Sequence, residues 1–187
     1  MSKLETNVID TLSGTSNLTI GSTNTSTVTF ENGAVTGHMY PAFEARLSST
    51  QSINHNTFTK VQCDTEHFDT DSAYDSSTNY RFTPQVAGKY YCYAQVRGFA
   101  GGSDPDGVRL IAVGVYKNGS SVRNYYGFDA NLNDMRHMTH YVSTVIDLNG
   151  STDYLEFYGL VNAEDGSSTG VVFNSDQTYF GAYRIGA

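Results

Sequence analysis

The 187-residue chain has no tryptophan, only three prolines and two cysteines, and little charge. Asp, Glu, Lys and Arg make up 16% of it, against about 25% in ordinary soluble domains, so other polar residues must keep its surface wet. Long apolar runs are missing too: none approaches the roughly 20 residues of a membrane span, and no membrane insertion is expected. The opening Met1-Ser2-Lys3-Leu4-Glu5-Thr6 has no apolar segment of the kind a cleaved secretory signal needs, so synthesis in the cytoplasm is expected. Cations are scarce, 11 Lys and Arg against 19 Asp and Glu, for a net charge of -8. Phosphate backbones are bound by clustered Lys and Arg, so nucleic acid is not an expected partner. Cys63 and Cys92 stand too far apart for a redox or zinc motif, each inside a strand-like run. Two buried free thiols are the first reading, with a disulfide between adjacent strands as the alternative; cytosolic synthesis disfavours the latter.

Gly, Ser, Thr, Asn and 14 Tyr fill the composition instead. Ser, Thr and Asn are poor helix formers, whereas Thr and Tyr favour strands, so an all-β chain with many turns is expected. No stretch of useful length has the helical period. Residues 1–37 differ from the rest. Apolar residues recur at alternate positions (Leu18 and Ile20, Val28 and Phe30) between Gly14, Gly21 and Gly33. Such short strands with one apolar face cannot form a core alone and need a neighbouring protein or copies of themselves. Disorder is the competing reading for so Ser/Thr-rich a stretch, and the regular apolar beat argues against it.

Residues 38–187 run strand after strand. Ala42 to Leu47 alternates, as does Lys60 to Cys63; Tyr80 to Thr83 leads through Val86-Ala87-Gly88 to Lys89–Val96; Val108 to Tyr116 meets Asn118-Gly119, the strongest hairpin signal in the chain. Val122 to Tyr126 would return from it. His140 to Leu148, with Val142, Ile146 and Leu148 inward, turns at Asn149-Gly150 into Asp153–Val161, and Val171–Phe173 and Thr178–Ile185 close the series. About ten strands and no helix predict a β-sandwich.

Residues 41–187 resemble the globular head of the C1q and tumour-necrosis-factor superfamily, a ten-stranded jelly roll that assembles as a homotrimer. The likeness is carried by Pro41-Ala42-Phe43-Glu44-Ala45, by Phe68-Asp69 and Tyr74-Asp75 as an acidic turn, and by Tyr80-Arg81-Phe82-Thr83-Pro84-Gln85-Val86-Ala87-Gly88-Lys89-Tyr90-Tyr91-Cys92. Tyr116-Lys117-Asn118-Gly119, Leu148-Asn149-Gly150 and Phe180-Gly181-Ala182-Tyr183 extend it. Cys92 stands where that family usually has Phe. Ile9 to Gly21 is similar to the leader of small fibre-type proteins of tailed bacteriophages, in which an N-terminal β segment attaches to the virion and a trimeric head faces outward.

Enzymatic chemistry finds little footing. No nucleophile elbow, phosphate loop or zinc signature is present. His137 and His140, three apart on a strand, point to opposite faces and cannot share a metal, so they read as solvated loop histidines. Asp69, Asp71 and Asp75 read chiefly as turn caps. Asp104 and Asp106, flanking Pro105 before Gly107, are the secondary expectation for a Ca²⁺ site; otherwise no cofactor is expected.

The tyrosines are more telling. Tyr90, Cys92, Ala94 and Val96 share one face of their strand, and Tyr91, Tyr93 and Gln95 the other; Tyr179, Gly181 and Tyr183 repeat the pattern. Rigid amphipathic Tyr side chains suit an interface. With the resemblance, Phe43, Tyr91, Tyr93, Tyr179 and Tyr183 are the expected trimer-interface residues, and Tyr125, Tyr126 and Phe128 the candidate ligand-loop residues. The chain is thus expected to be a non-enzymatic virion protein of a tailed bacteriophage, synthesised in the cytoplasm with the virion as its destination. Residues 1–37 would form an attachment or trimerisation segment contacting another virion protein, and residues 38–187 a trimeric fibre or receptor-binding head that meets host surface glycans. A purely stabilising capsid or tail decoration protein, and a bacterial C1q-like lectin or adhesin, are the alternatives.

Overall fold

Apolar and polar residues alternate along most of the chain, and the backbone follows them into strands. The computed structural model describes residues 41–100, 107–127, 135–163, 171–173, 175 and 177–186. Among them are thirteen strands and no helix: β1 (Ala42–Arg46), β2 (Gln51–Ser52), β3 (Thr59–Lys60), β4 (Thr65–Asp69), β5 (Tyr74–Asp75), β6 (Arg81–Phe82), β7 (Gly88–Ala100), β8 (Val108–Lys117), β9 (Ser120–Tyr126), β10 (His137–Leu148), β11 (Leu155–Ala163), β12 (Val171–Phe173) and β13 (Tyr179–Gly186). The surplus over the expected ten comes from two-residue pieces such as β2, β3 and β5, too short to show a period in sequence.

The strands form two antiparallel sheets facing each other as a jelly-roll β-sandwich. Sheet A runs β4-β1-β13-β7-β10, with β12 pairing the far part of β7 and β2 pairing β12. Sheet B runs β5-β6-β11-β8-β9, with β3 added on β11. The expected inward sets are found inward: Tyr90, Cys92, Ala94 and Val96 of β7 are fully buried, and Val142, Ile146 and Leu148 of β10 are buried. Cys63 and Cys92 are free and buried, and burial pushes both thiols well above their ordinary range.

An aromatic cluster fills the centre of the sandwich. Phe43 stacks on Tyr74 and on Phe82, each 4.5 Å between ring centroids, and meets Phe180 edge-on at 5.0 Å. Tyr74 keeps its hydroxyl satisfied by donating to the Cys63 carbonyl at 2.9 Å. Each such side chain contributes about 1.5–3 kcal/mol by leaving water. Phe43 is therefore a core residue and not an interface residue. Its strand alternates with Glu44 and Arg46 outward, so Phe43 and Ala45 must point in.

Two polar knots hold the loops. Asn118 (φ 52°) and Gly119 (φ 75°) make the two-residue turn between β8 and β9, with both residues in the left-handed region that such hairpins require. The Asn118 amide donates to Asp153 Oδ1 at 2.7 Å, while Asp153 Oδ2 takes the Lys117 ammonium at 2.8 Å and the Asn149 amide N–H at 2.9 Å. The hairpin is thereby tied to the β10–β11 connection. Hydrogen bonds from Lys117 and then Asn118 hold the Asp153 carboxyl below its ordinary value. In the second knot Asp75 accepts from the backbone N–H groups of Ser77, Thr78 and Asn79, and these bonds, led by that from Thr78, hold its carboxyl well below the usual range. The stretch expected as an acidic turn around Phe68-Asp69 is instead strand β4, paired to β1.

Candidate functional site

The outer face of sheet A carries the tyrosines. Strand pairing lays them out in rows. Across one row lie Val145 (β10), Tyr91 (β7) and Tyr183 (β13); across the next Ser143, Tyr93, Gly181 and Glu44 of β1; across the third Tyr141, Gln95, Tyr179 and Arg46. Of the expected interface set, Tyr91, Tyr93, Tyr179 and Tyr183 share this face, while Phe43 sits on the opposite side of the sheet. Tyr141 and Val145 belong to it as well and were not singled out. The signal was present, because inward Val142, Ile146 and Leu148 force odd-numbered neighbours outward.

The rings contact one another. Tyr91 lies 6.1 Å from Tyr93 and 5.4 Å from Tyr183, and Tyr93 meets Tyr179 edge-on at 6.3 Å. Gly181 makes room: a Cβ there would fall 2.4 Å from Tyr93 Cζ, so the ring lies flat over bare backbone. The hydroxyls are tied sideways. Tyr93 donates to Glu44 Oε2 at 2.8 Å, the Tyr91 and Tyr141 hydroxyls are 3.2 Å apart, and His67 Nδ1 is 3.2 Å from Glu44 Oε1. Hydrogen bonding from Ser143 and then Tyr141 draws the Tyr91 phenol below its ordinary value; burial, then donation to Tyr91, pushes Tyr141 up to about 12. Burial and the bond to Glu44 raise Tyr93 further. Tyr93 and Tyr141 are thus neutral near pH 7, and the charged side chains in the three rows are Glu44 and Arg46 of β1. Tyr183, Tyr141 and Val145 remain 45%, 42% and 51% exposed, a contiguous amphipathic patch on the outer face of sheet A.

The other candidates separate. Tyr125 and Tyr126 are both exposed, but they lie in β9 and not in a loop, and as strand neighbours they face opposite ways. Tyr125 stacks on His140 at 5.1 Å, and Tyr126 meets Phe58 edge-on at 6.0 Å. They do not form one binding surface. Phe128, Asp104 and Asp106 lie outside the described residues, as do residues 1–37. His137 and His140 lie in β10 and not in a loop. Asp69 accepts from the backbone N–H groups of Asp71 and Tyr74, which is the turn-capping role expected of these carboxylates. Among the described residues no three His, Cys, Asp or Glu side chains converge as metal ligands.

No protein-family model matches the chain, and no curated protein sequence matches it. Solved structures do share its fold. Murine APRIL at pH 5.0 is 14% identical with a TM-score of 0.52, over 78% of this chain and 99% of its own. Murine APRIL at pH 8.0 is 13% identical with a TM-score of 0.54 over the same shares. Eiger TNF from S. frugiperda is 8% identical with a TM-score of 0.52, over 78% of this chain and 92% of its own. The chain is therefore similar to these proteins in fold, an all-β jelly-roll sandwich of the tumour-necrosis-factor type.

Proposed function

We propose that the chain is a non-enzymatic, self-assembling head: a homotrimer built through the outer face of sheet A, carried on a tailed-bacteriophage virion as a fibre or receptor-binding knob. The observation behind it is the tyrosine face. Six large side chains, Tyr91, Tyr93, Tyr141, Val145, Tyr179 and Tyr183, lie side by side on one sheet, with the hydroxyls of Tyr91, Tyr93 and Tyr141 bonded laterally. Such a patch is costly to leave in water and has the Tyr-rich, charge-poor make-up of an interface core. A second and third copy cover it most simply, since closed cyclic symmetry buries the same patch on every subunit. The resemblance to C1q and tumour-necrosis-factor heads supports the three-fold arrangement. The likeness of residues 9–21 to fibre leaders supports the virion location and attachment through residues 1–37. A surface rich in Ser, Thr, Asn and Tyr and poor in charge suits weak, multiplied contacts with host glycans, three per fibre.

The solution mass of the full-length protein tests the assembly. Light scattering after gel filtration should give about 61 kDa, three times the 20.4 kDa of one chain. A stable 20.4 kDa monomer would overturn it. Repeating the measurement in chelator tests the Ca²⁺ expectation at Asp104 and Asp106, because a trimer that needs the ion should dissociate.

A further inference from the structure

The connection from β1 to β4 carries a feature apart from the tyrosine face. It stays with sheet A through β2, which pairs with β12, crosses to sheet B through β3 and returns to sheet A at Thr65. The crossing leaves a groove of about 300 Å³ lined by Ser49, Gln51, Ser52, Gln62, Asp64 and Tyr80. A second basin of about 250 Å³ shares Ser52 and adds Asn54 and Thr59. Small-molecule sites begin at about 300 Å³, so each basin suits one small ring and not an extended chain.

The walls are polar and held in place before any ligand arrives. Asp64 accepts from the Ser48 amide at 2.7 Å and the Ser48 hydroxyl at 2.6 Å. Burial pushes its carboxyl up, but the bonds from Ser48 more than offset this and hold it below its ordinary value, so the wall is anionic near pH 7. Gln51 donates to the Lys60 carbonyl at 2.8 Å and accepts from the Gln62 N–H at 2.9 Å. Both side chains are locked, yet each keeps unused capacity: lone pairs on the carboxylate, a second amide N–H on Gln51. Tyr80 holds φ at 50°, a region that residues with a β-carbon avoid. The turn fixed by Asp75 delivers it there, and Asn79, next to it, also binds the Asp75 carboxylate through its side chain at 2.7 Å. Strain kept in a preorganised loop beside a cavity points to a use for the side chain it positions.

We propose that this groove binds a neutral sugar, with Tyr80 as the aromatic platform, Asp64 and Gln51 as partners for ring hydroxyls, and the second basin taking the next ring of a disaccharide. The proposal rests on the glycan-binding reading above and gives it a site. A locked carboxylate and amide can each bind sugar hydroxyls, while an aromatic ring covers the apolar C–H face. The Asp64 carboxylate and the net charge of -8 both disfavour acidic sugars.

The test uses the full-length protein on an array of neutral and acidic glycans, beside a fibre known to bind. The best neutral disaccharide is then titrated by calorimetry against the native protein, Tyr80→Gly and Tyr80→Phe. Glycine adopts φ 50° freely, so Tyr80→Gly should keep or raise the melting temperature while losing the ring. Affinity should fall at least about tenfold in Tyr80→Gly and stay within about threefold in Tyr80→Phe. Neutral glycans bound equally well by Tyr80→Gly would overturn the groove and leave the glycan-binding head standing, as would a preference for acidic glycans. A blank array beside a working control would overturn both.

Discussion

Placing one methyl group on Gly181 gives a sharp test of how the tyrosine face is held. In Gly181→Ala the new Cβ would fall 2.4 Å from Tyr93 Cζ and 2.5 Å from its hydroxyl oxygen, distances no packed side chain tolerates. The Tyr93 ring can swing away, but doing so breaks its bond to Glu44 Oε2 at 2.8 Å and its edge-on contact with Tyr179. A bond to a carboxylate contributes about 1.5 kcal/mol at the lower end of its range, which suits a half-exposed face, and the ring pair about 0.5 kcal/mol. Alanine recovers about 0.5 kcal/mol by restricting the unfolded chain. The net loss is about 1.5 kcal/mol per subunit, or about 3–6 °C in melting temperature for a chain of this size. Calorimetric melting should show it, and gel filtration with light scattering should show dissociation at higher concentration than for the native protein. Tyr93→Phe, which loses the bond to Glu44 but keeps the ring pair, should cost about the same 1.5 kcal/mol. An unchanged melting temperature together with an unchanged mass would refute both the seating of Tyr93 and the role of this face in assembly.

Two further outcomes follow from the interior and the loops. Phe43→Ala removes the ring at the centre of the aromatic cluster and should cost about 3–5 kcal/mol in urea unfolding; a loss under about 1 kcal/mol would mean that Phe43 is not a core residue. Asp64, Asp75 and Asp153 all have folded-state values below the ordinary 3.8, so the stability they contribute is complete above that value and is lost as pH falls through their depressed values. The midpoint of urea unfolding should therefore hold from pH 7 to about pH 5 and drop below about pH 4. Asp153→Asn should lower it at pH 7 and make the acid drop shallower; a parallel curve would remove Asp153 from the account.

What the sequence disclosed divides along physical lines. β7 was legible because it is paired on both sides and buried on one face, so Tyr90 to Val96 alternates without interruption. Asn118-Gly119 was legible because a two-residue hairpin is chosen by local backbone preference. β4 was not: Thr65-Glu66-His67-Phe68-Asp69 is an edge strand with none of its five residues fully buried, which leaves no alternation to read. Phe43 was misassigned although its strand carried the answer, since Glu44 and Arg46 claim the solvent side. Period two put Tyr91 with Tyr93 and Tyr179 with Tyr183 whatever the fold, and the family resemblance joined the two pairs on one sheet. Which strands lie beside each other depends on topology, and that is why Tyr141 and Val145 joined the patch only once β10 was seen against β7. The groove at Tyr80 rests on a connection that visits both sheets, and no periodicity announces such a path.

The position of β13 has a consequence for the newborn chain. It is the last of the thirteen described strands to be made, yet it lies between β1 and β7 in sheet A, with Ala45 opposite Phe180 and Cys92 opposite Ala182. At about 5–20 residues per second, β1 waits on the order of ten seconds for the strand that closes the sheet around it. Until then the edges of β1 and β7 that will flank β13 stay unpaired, and the inner faces of Phe43 and Tyr90 lack their cover. A sandwich joined at its middle by a late strand folds slowly, because its pairings are distant in sequence. Crowded synthesis of many copies would bring such open edges together before their own β13 arrives. The yield of soluble protein should then depend on how quickly translation runs from Tyr126 to Gly186, and much less on how quickly it begins.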